Sequence, residues 1–303
     1  MTRTIISRVF AALAACLLSS AALAAPKTAR ILYAEPVVLT GLPALPATGR
    51  PKTSSSAHVR FDAYGRRFEL DLTANDRLLR QLPAALRAGL PAYALYRGTV
   101  AGLDGSWVRL TRLPDGLHGL VYDGTELYVV APAGSVASEL DLGLPRYDAA
   151  ATLVFRAADT DGNLGPGFCR MLAAPDAGGA DGASSKVSAY QAIFAELKAN
   201  APAIGAAVAT KELDLALVGD TQLATQYPST AGEMLARLNN IDGIFSAQVG
   251  VRVTSSFVQV LGNDGGMTAT SAETLLDQFE TYRRATPQAA SRGLAHLMTG
   301  REL

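Results

Sequence analysis

Residues 211–227 read KELDLALVGDTQLATQY, and residues 234–266 read MLARLNNIDGIFSAQVGVRVTSSFVQVLGNDGG. The near-continuous apolar run at 213–218 predicts a strand that is buried on both faces. Apolar side chains from Met234 to Val249 recur at helical spacing and predict a helix. Residues 251–260 are rich in β-branched side chains and predict a second strand. The last third of the chain therefore begins as strand, helix and strand.

A second helix and a third strand are predicted beyond these elements. Thr270 and Glu273 have the spacing of a capping box, and Pro287 lies just past the expected helix end. The apolar residues of 294–298 predict the third strand. Alternating strands and helices indicate a parallel sheet with right-handed crossovers. We expect the two helices to cover one face and leave the other bare, so residues 211–303 should be poorly stable alone.

Residues 58–132 have the alternation of a β meander. Turns are predicted at Tyr64-Gly65, at 114–116 (Pro-Asp-Gly) and at Asp123-Gly124. A short helix is predicted over residues 76–86. The side chains expected on the buried face are Val108, Leu110, Leu117, Val121, Leu127 and Val129.

The remaining segments complete the predicted organisation. Residues 1–24 have the basic start, the short apolar run and the Ala-Leu-Ala end of a Sec signal peptide, which indicates a secreted or periplasmic protein. A lipoprotein signal ending at Cys16 is the weaker alternative, because apolar sequence continues beyond it. Proline and serine make residues 25–57 a predicted linker. Residues 58–172 form the predicted β-rich domain, and residues 173–210 a linker followed by a helix.

Composition restricts the function classes. The formal net charge is zero and no basic tract is present, so nucleic acid is not an expected partner. The apolar run of the signal is too short for a stable membrane span. Cys169 is the one cysteine outside the signal, so no internal disulfide is expected. The three histidines lack metal-ligand spacing, and we interpret them as structural: His58, His118 and His296.

Four segments resemble the front of a reprolysin (ADAM-type) metzincin catalytic domain: LDLALVGDTQLATQY (213–227), LNNIDGIFSAQVGVRV (238–253), TATSAETLLDQFETYRRA (268–285) and AHLMTGREL (295–303). Bacterial peptidyl-Asp metalloendopeptidases belong to this family of secreted zinc proteases. The meander is similar to the prodomain that precedes such domains. The resemblance implies an α+β fold, in which a β-rich prodomain is followed by an incomplete metzincin-type unit of three mostly parallel strands and two helices.

The resemblance also implies a chemistry. Family members hold zinc with HExxHxxGxxH, where the glutamate is the general base that acts on metal-bound water during hydrolysis of protein or peptide substrates. The sequence contains no such motif, so we expect a zymogen truncated before its zinc site and inactive as given. Cys169 matches the position of a cysteine-switch ligand to that zinc, although the glycine that usually follows is absent. Asp214 falls where relatives have a calcium-binding glutamate, and calcium is the second implied metal.

A different class of function stays open. A non-enzymatic exported protein could use the prodomain-like meander to bind or inhibit a protease in trans. A carbohydrate- or peptide-binding module is less favoured, because Trp107 is the one tryptophan and the tyrosines are scattered.

Overall fold

The computed structural model describes residues 29–45, 56–162 and 211–301. The predicted signal at 1–24, the linker and helix at 173–210, and Cys169 lie outside these residues. The described part is a mixed α/β, β-rich structure with an antiparallel sheet of eight strands and a parallel sheet of three. Those two sheets correspond to the predicted meander and to the predicted strand–helix unit.

The strands of the large sheet are β2 (Glu35–Val37), β3 (Ala57–Ala63), β4 (Arg66–Ala74), β5 (Ala94–Val100), β6 (Trp107–Leu113), β7 (Gly116–Tyr122), β8 (Leu127–Pro132) and β9 (Thr152–Arg156). Their spatial order is β2-β9-β8-β7-β6-β5-β4-β3. Thr40, just after β2, exchanges two backbone hydrogen bonds with Arg60 of β3. The two outer strands of the sheet are therefore brought together around one apolar core.

The predicted turns are confirmed. Tyr64 and Gly65 have φ values of 55° and 68°, and together they close the β3–β4 hairpin as the two central residues. Gly116 and Gly124 also have positive φ. Between β4 and β5 the predicted helix is divided by Pro83 into a 3-10 turn, Asp76–Leu79, and a short helix α1, Ala84–Ala88.

The core confirms four of the six side chains predicted in the meander. Val108, Leu110, Leu117 and Val121 are buried, but Leu127 and Val129 are partly exposed. Val121 lies opposite Tyr128 in the β7–β8 register. Directly opposed residues share a face, so Tyr128 and Val130 point into the core instead. The predicted phase of β8 is wrong by one residue.

The predicted linker contributes two strands. β1 (Ala29–Ile31) pairs with β10 (Thr160–Gly162), and β2 pairs with β9. Pro36 is compatible with its place because β2 lies at the end of the sheet, where one ladder is incomplete. Each of these strands pairs with a strand more than 100 residues away in the chain. Local composition cannot reveal such a pairing.

The second sheet has the order β12-β11-β13, and both pairings are parallel as predicted. Its elements are β11 (Lys211–Gly219), α2 (Thr221–Gln226), α3 (Thr230–Gln248), β12 (Val251–Val260), α4 (Ala272–Ala285), α5 (Pro287–Ala290) and β13 (Leu294–Met298). No helix among the described residues is both long and apolar enough to cross a bilayer.

The expectation of a bare sheet face is wrong. Leu217 of β11 packs in one cluster with side chains of α3, whereas the next residue, Val218, packs with Leu275 and Phe279 of α4. The chain moves from β11 to one neighbour and then back across β11 to the other. Right-handed crossovers in opposite directions place their helices on opposite faces. Both faces of the small sheet are therefore covered, at least in part.

The capping residue of α4 is one position later than predicted. Ser271 Oγ accepts the hydrogen bond from the Thr274 backbone N–H at 3.4 Å, and Thr270 lies outside the cap. We expect Ser271→Ala to lower the free energy of unfolding by about 1 kcal/mol, because a helix-end donor loses its acceptor. Urea denaturation measures this loss. Thr270→Ala is the matched control and should be neutral; the opposite ranking would contradict this assignment.

Candidate functional site

A buried cluster of charged side chains lies where the meander meets α3. Asp242 of α3 is fully buried, and its carboxylate receives two arginines of the meander. Arg77 Nη2 donates to Oδ1, and Arg109 Nε donates to Oδ2 at 3.0 Å. The Val253 backbone N–H also donates to Oδ1, at 3.0 Å. One carboxylate therefore joins the meander, α3 and β12.

The electrostatics of this group favour its charged form. Burial acts to raise the pKa of Asp242, but attraction by Arg109 and Arg77 and their hydrogen bonds outweigh it, and the pKa is lowered. Burial lowers the pKa of Arg109, although a guanidinium remains charged at any pH at which the protein is folded. Asp242 is thus an ionised carboxylate held between two cations.

The lowered pKa of Asp242 predicts how the stability of the fold depends on pH. A carboxylate with a depressed folded-state pKa stabilises the fold above its unfolded value of 3.8, and this contribution is lost as the pH falls through the folded value. We expect the stability difference between the wild type and Asp242→Asn to shrink as the pH falls from about 5 to about 2. Denaturant titrations at each pH measure it. A stability difference that stays constant over this pH range would contradict the ion pairing.

Two buried amides extend the junction. Asn239 lies one helical turn before Asp242, and its Nδ2 reaches the Leu110 carbonyl at 3.0 Å and Thr111 Oγ1 at 3.1 Å. Asn75 Nδ2 donates to Asn239 Oδ1 at 2.8 Å. Polar groups of α3 are therefore matched to polar groups of the meander, which fixes their relative position.

The contact between α3 and the sheet is close. A Cβ atom on Gly243 would lie 2.7 Å from atoms of Trp107 and of Arg109, so α3 needs glycine here. Around the polar centre, six apolar side chains of the meander share one cluster with α3, β11 and β12: Leu78, Leu79, Leu82, Tyr93, Leu95 and Leu113. The outer face of β5 and β6 is thus a second buried surface, whose centre is ionic.

A separate ionic cluster joins the carboxyl ends of the three parallel strands. Asp220, fully buried after β11, caps α2 and accepts from Thr299 Oγ1 and from Arg301 Nε at 3.1 Å. Arg301 also donates to Asp264, which in turn accepts from Thr221. Every carboxylate oxygen here has a protein donor, so the cluster stabilises the strand ends.

The side chain of Asp214 accepts hydrogen bonds from a β-bulge in the neighbouring strand. Between Leu215 and Ala216 the β11–β12 register shifts, so Ser256 is an extra residue in β12. The Ser256 N–H donates to Asp214 Oδ1 at 2.9 Å, and its hydroxyl donates to Oδ2. Asp214 thus satisfies the unpaired donor of a β-bulge. The calcium role implied by the resemblance stays a prediction.

The three histidines lie on separate elements. His58 of β3 bonds Asp71 at 2.8 Å, His118 is buried on β7, and His296 is exposed on β13. Across ranges 29–45, 56–162 and 211–301, no group of three or more His, Cys, Asp or Glu side chains could hold a metal ion. The described residues therefore do not fit a zinc site.

The residues of the junction were not identified from the sequence. Arg109 and Thr111 alternate with Val108 and Leu110, which predicts an exposed face for them. They are 7% and 0% exposed because α3 covers that face. The available signal was the spacing of Asn239 and Asp242, two polar residues three positions apart and therefore on one side of the predicted helix.

Comparison with known proteins gives a weak similarity to a metalloproteinase. No protein-family model matches the chain. The chain is 31% identical over 99 residues to human disintegrin and metalloproteinase domain-containing protein 23. The match covers 30% of this chain and 12% of that protein, so the chain spans a small fraction of the relative's length. This similarity supports a metalloprotease-related region and no finer assignment.

Proposed function

We propose that the chain is part of the precursor of a secreted zinc metalloendopeptidase of reprolysin type. The meander would be its prodomain, and residues 211–303 the first part of its catalytic unit. The observation that carries the proposal is the similarity to a disintegrin and metalloproteinase protein over 99 residues. A strand–helix unit with a three-stranded parallel sheet, preceded by a separate β-rich unit, is compatible with it.

The junction at α3 supports the prodomain part of the proposal. Arg77, Arg109 and Asn75 of the meander meet Asp242 and Asn239 of α3 in a polar contact that includes two ion pairs. A polar contact of this kind holds the meander and α3 in one relative orientation. A prodomain must bind its catalytic unit in one orientation, so it needs such a contact.

Zinc would supply the hydrolytic chemistry, with ligands from sequence beyond the residues printed here. In the proposal the chain itself is inactive, and the Cys169 thiolate binds the zinc of the longer protein to keep it latent. Residues 1–24 would direct export through the Sec pathway. Protein or peptide substrates are the proposed partners.

The test is the activity of the protein expressed from the complete reading frame that contains this chain. We expect protease activity on casein that is lost with a zinc chelator and restored by added zinc. Cys169→Ser should raise the activity of the uncut protein, and Ser185→Ala in the same segment is the matched control. Absence of chelator-sensitive activity overturns the protease assignment. Equal activity of Cys169→Ser and the wild type overturns the switch alone.

One observation favours the alternative function in trans. The meander has its own apolar core, and its outer strands are joined by the Thr40–Arg60 bridge. Such a unit has the features of a domain that folds independently, which a protein that acts on a separate protease must do. Adding residues 29–162 to a reprolysin-type protease and measuring peptide hydrolysis tests this: inhibition supports it, and an unchanged rate contradicts it.

A further inference from the structure

A cavity of about 180 Å³ lies between the meander and α3, apart from the Asp242 junction. One wall comes from β7, β8 and the loop that follows β8. The other wall comes from α3 and from Tyr227, which lies between α2 and α3. Val129, Val136 and Ala236 give it an apolar side. The volume holds roughly six water molecules, or a ligand of fewer than ten heavy atoms.

Two acceptor groups at this cavity have no partner in the described parts of the chain. The Oδ1 atom of Asn240 is buried and makes no hydrogen bond. The buried imidazole of His118 is not one of them, because its Nε2 atom lies 3.5 Å from Asp115 Oδ1. The exposed Glu139 carboxylate, at the cavity rim, makes no hydrogen bond or ion pair with residues 29–45, 56–162 or 211–301. Unpaired buried polar atoms carry a free-energy cost that a ligand can remove.

The charges of the lining favour a cation. Arg237 is already committed, because its Nε atom donates to Glu233 at 2.8 Å and its Nη2 atom to the Tyr227 hydroxyl at 3.3 Å. That ion pair is neutral as a whole. Glu139 then leaves a net negative charge, and the open acceptors are its carboxylate and the Asn240 carbonyl oxygen. A ligand that brings positive charge and N–H donors satisfies both.

We propose that this cavity binds the guanidinium or ammonium end of a small amine or of a basic side chain. Its walls belong to both the meander and α3, so the ligand binds only while the two are docked. By mass action it stabilises the docked state. The inference does not depend on the protease assignment.

The test uses the intact chain and a pair of isosteres, n-butylguanidinium and the neutral n-butylurea. We expect calorimetry to give n-butylguanidinium a Kd on the order of 1 mM. The urea should bind about tenfold more weakly, because it lacks the charge. A second arm compares acetyl-Gly-Arg-Gly-amide with its citrulline analogue. Tighter binding of the arginine peptide than of the free cation identifies a side chain as the source, and the reverse identifies a small amine; both support the proposal.

Two variants locate the site. Glu139→Gln and Asn240→Ala should each weaken n-butylguanidinium binding about tenfold. Neither group has a partner in the described residues, so both variants should unfold at the wild-type temperature without ligand. Glu273→Gln changes an exposed residue of α4. It is the matched control and should bind like the wild type. No binding of either cation, equal affinity for the urea, or full affinity in Glu139→Gln overturns the proposal.

Discussion

Asp242→Ala is expected to lower the free energy of unfolding of the chain by about 3–5 kcal/mol, because it leaves two buried guanidinium groups without their carboxylate. Arg77 and Arg109 have side chains only 9% exposed, so water cannot replace the lost partner. The Val253 N–H loses its acceptor as well. Urea denaturation followed by far-UV circular dichroism measures the loss.

The matched control is the triple variant Asp242→Leu, Arg77→Met, Arg109→Met, which removes all three charges. It should recover much of the stability, because a buried ion pair contributes little beyond an apolar replacement of similar size. Asp62→Ala breaks the exposed pair with Arg67 and should cost far less stability, because solvent screens that pair. An Asp242→Ala loss as small as that of Asp62→Ala would contradict the buried network.

Residues 211–303 expressed alone are expected not to unfold cooperatively. The reason differs from the bare sheet face expected from the sequence, since α3 and α4 cover opposite faces. Without the meander, α3 exposes the side that packs against six large apolar side chains, at a cost of roughly 5–10 kcal/mol. That is comparable with the net stability of a whole domain, about 5–15 kcal/mol.

Thermal unfolding and binding of the dye ANS test this second prediction. We expect a broad transition and strong dye binding for residues 211–303, and a cooperative transition after residues 29–162 are added in trans. Addition of the Arg77→Ala, Arg109→Ala form of residues 29–162 is the control and should rescue less. Cooperative unfolding of 211–303 alone, as a monomer at high temperature, would contradict the account.

The local patterns of the sequence predicted most of the elements. Tyr64-Gly65 and Gly116 marked hairpin turns because tight turns need positive φ. The apolar run at 213–218 and the β-branched run at 251–260 predicted neighbouring parallel strands, which the structure confirms. These signals depend on residues close together in the chain.

What the sequence did not reveal depends on distant partners. Arg109 reads as a solvent-facing strand residue, but α3 covers it and places Asp242, 133 residues later, against its side chain. Asp214 reads as a lone acid, but it satisfies the bulge at Ser256, 42 residues away. The one-residue error in β8 has the same origin, because the β7–β8 pairing fixes which face Tyr128 occupies. The periodicity of a single sequence carries no information about these long-range contacts.

Proteolysis by the complete reading-frame product should be measured before and after cleavage within residues 163–210. If the meander is a prodomain, the uncut protein is latent, it gains zinc-dependent endopeptidase activity when the meander is cut away, and chelation abolishes that activity. Arg109→Ala removes a contact that the meander makes with Asp242 and leaves residues 211–303 unchanged, so it should raise the activity of the uncut protein. A product with no zinc-dependent endopeptidase activity in either form would contradict the account.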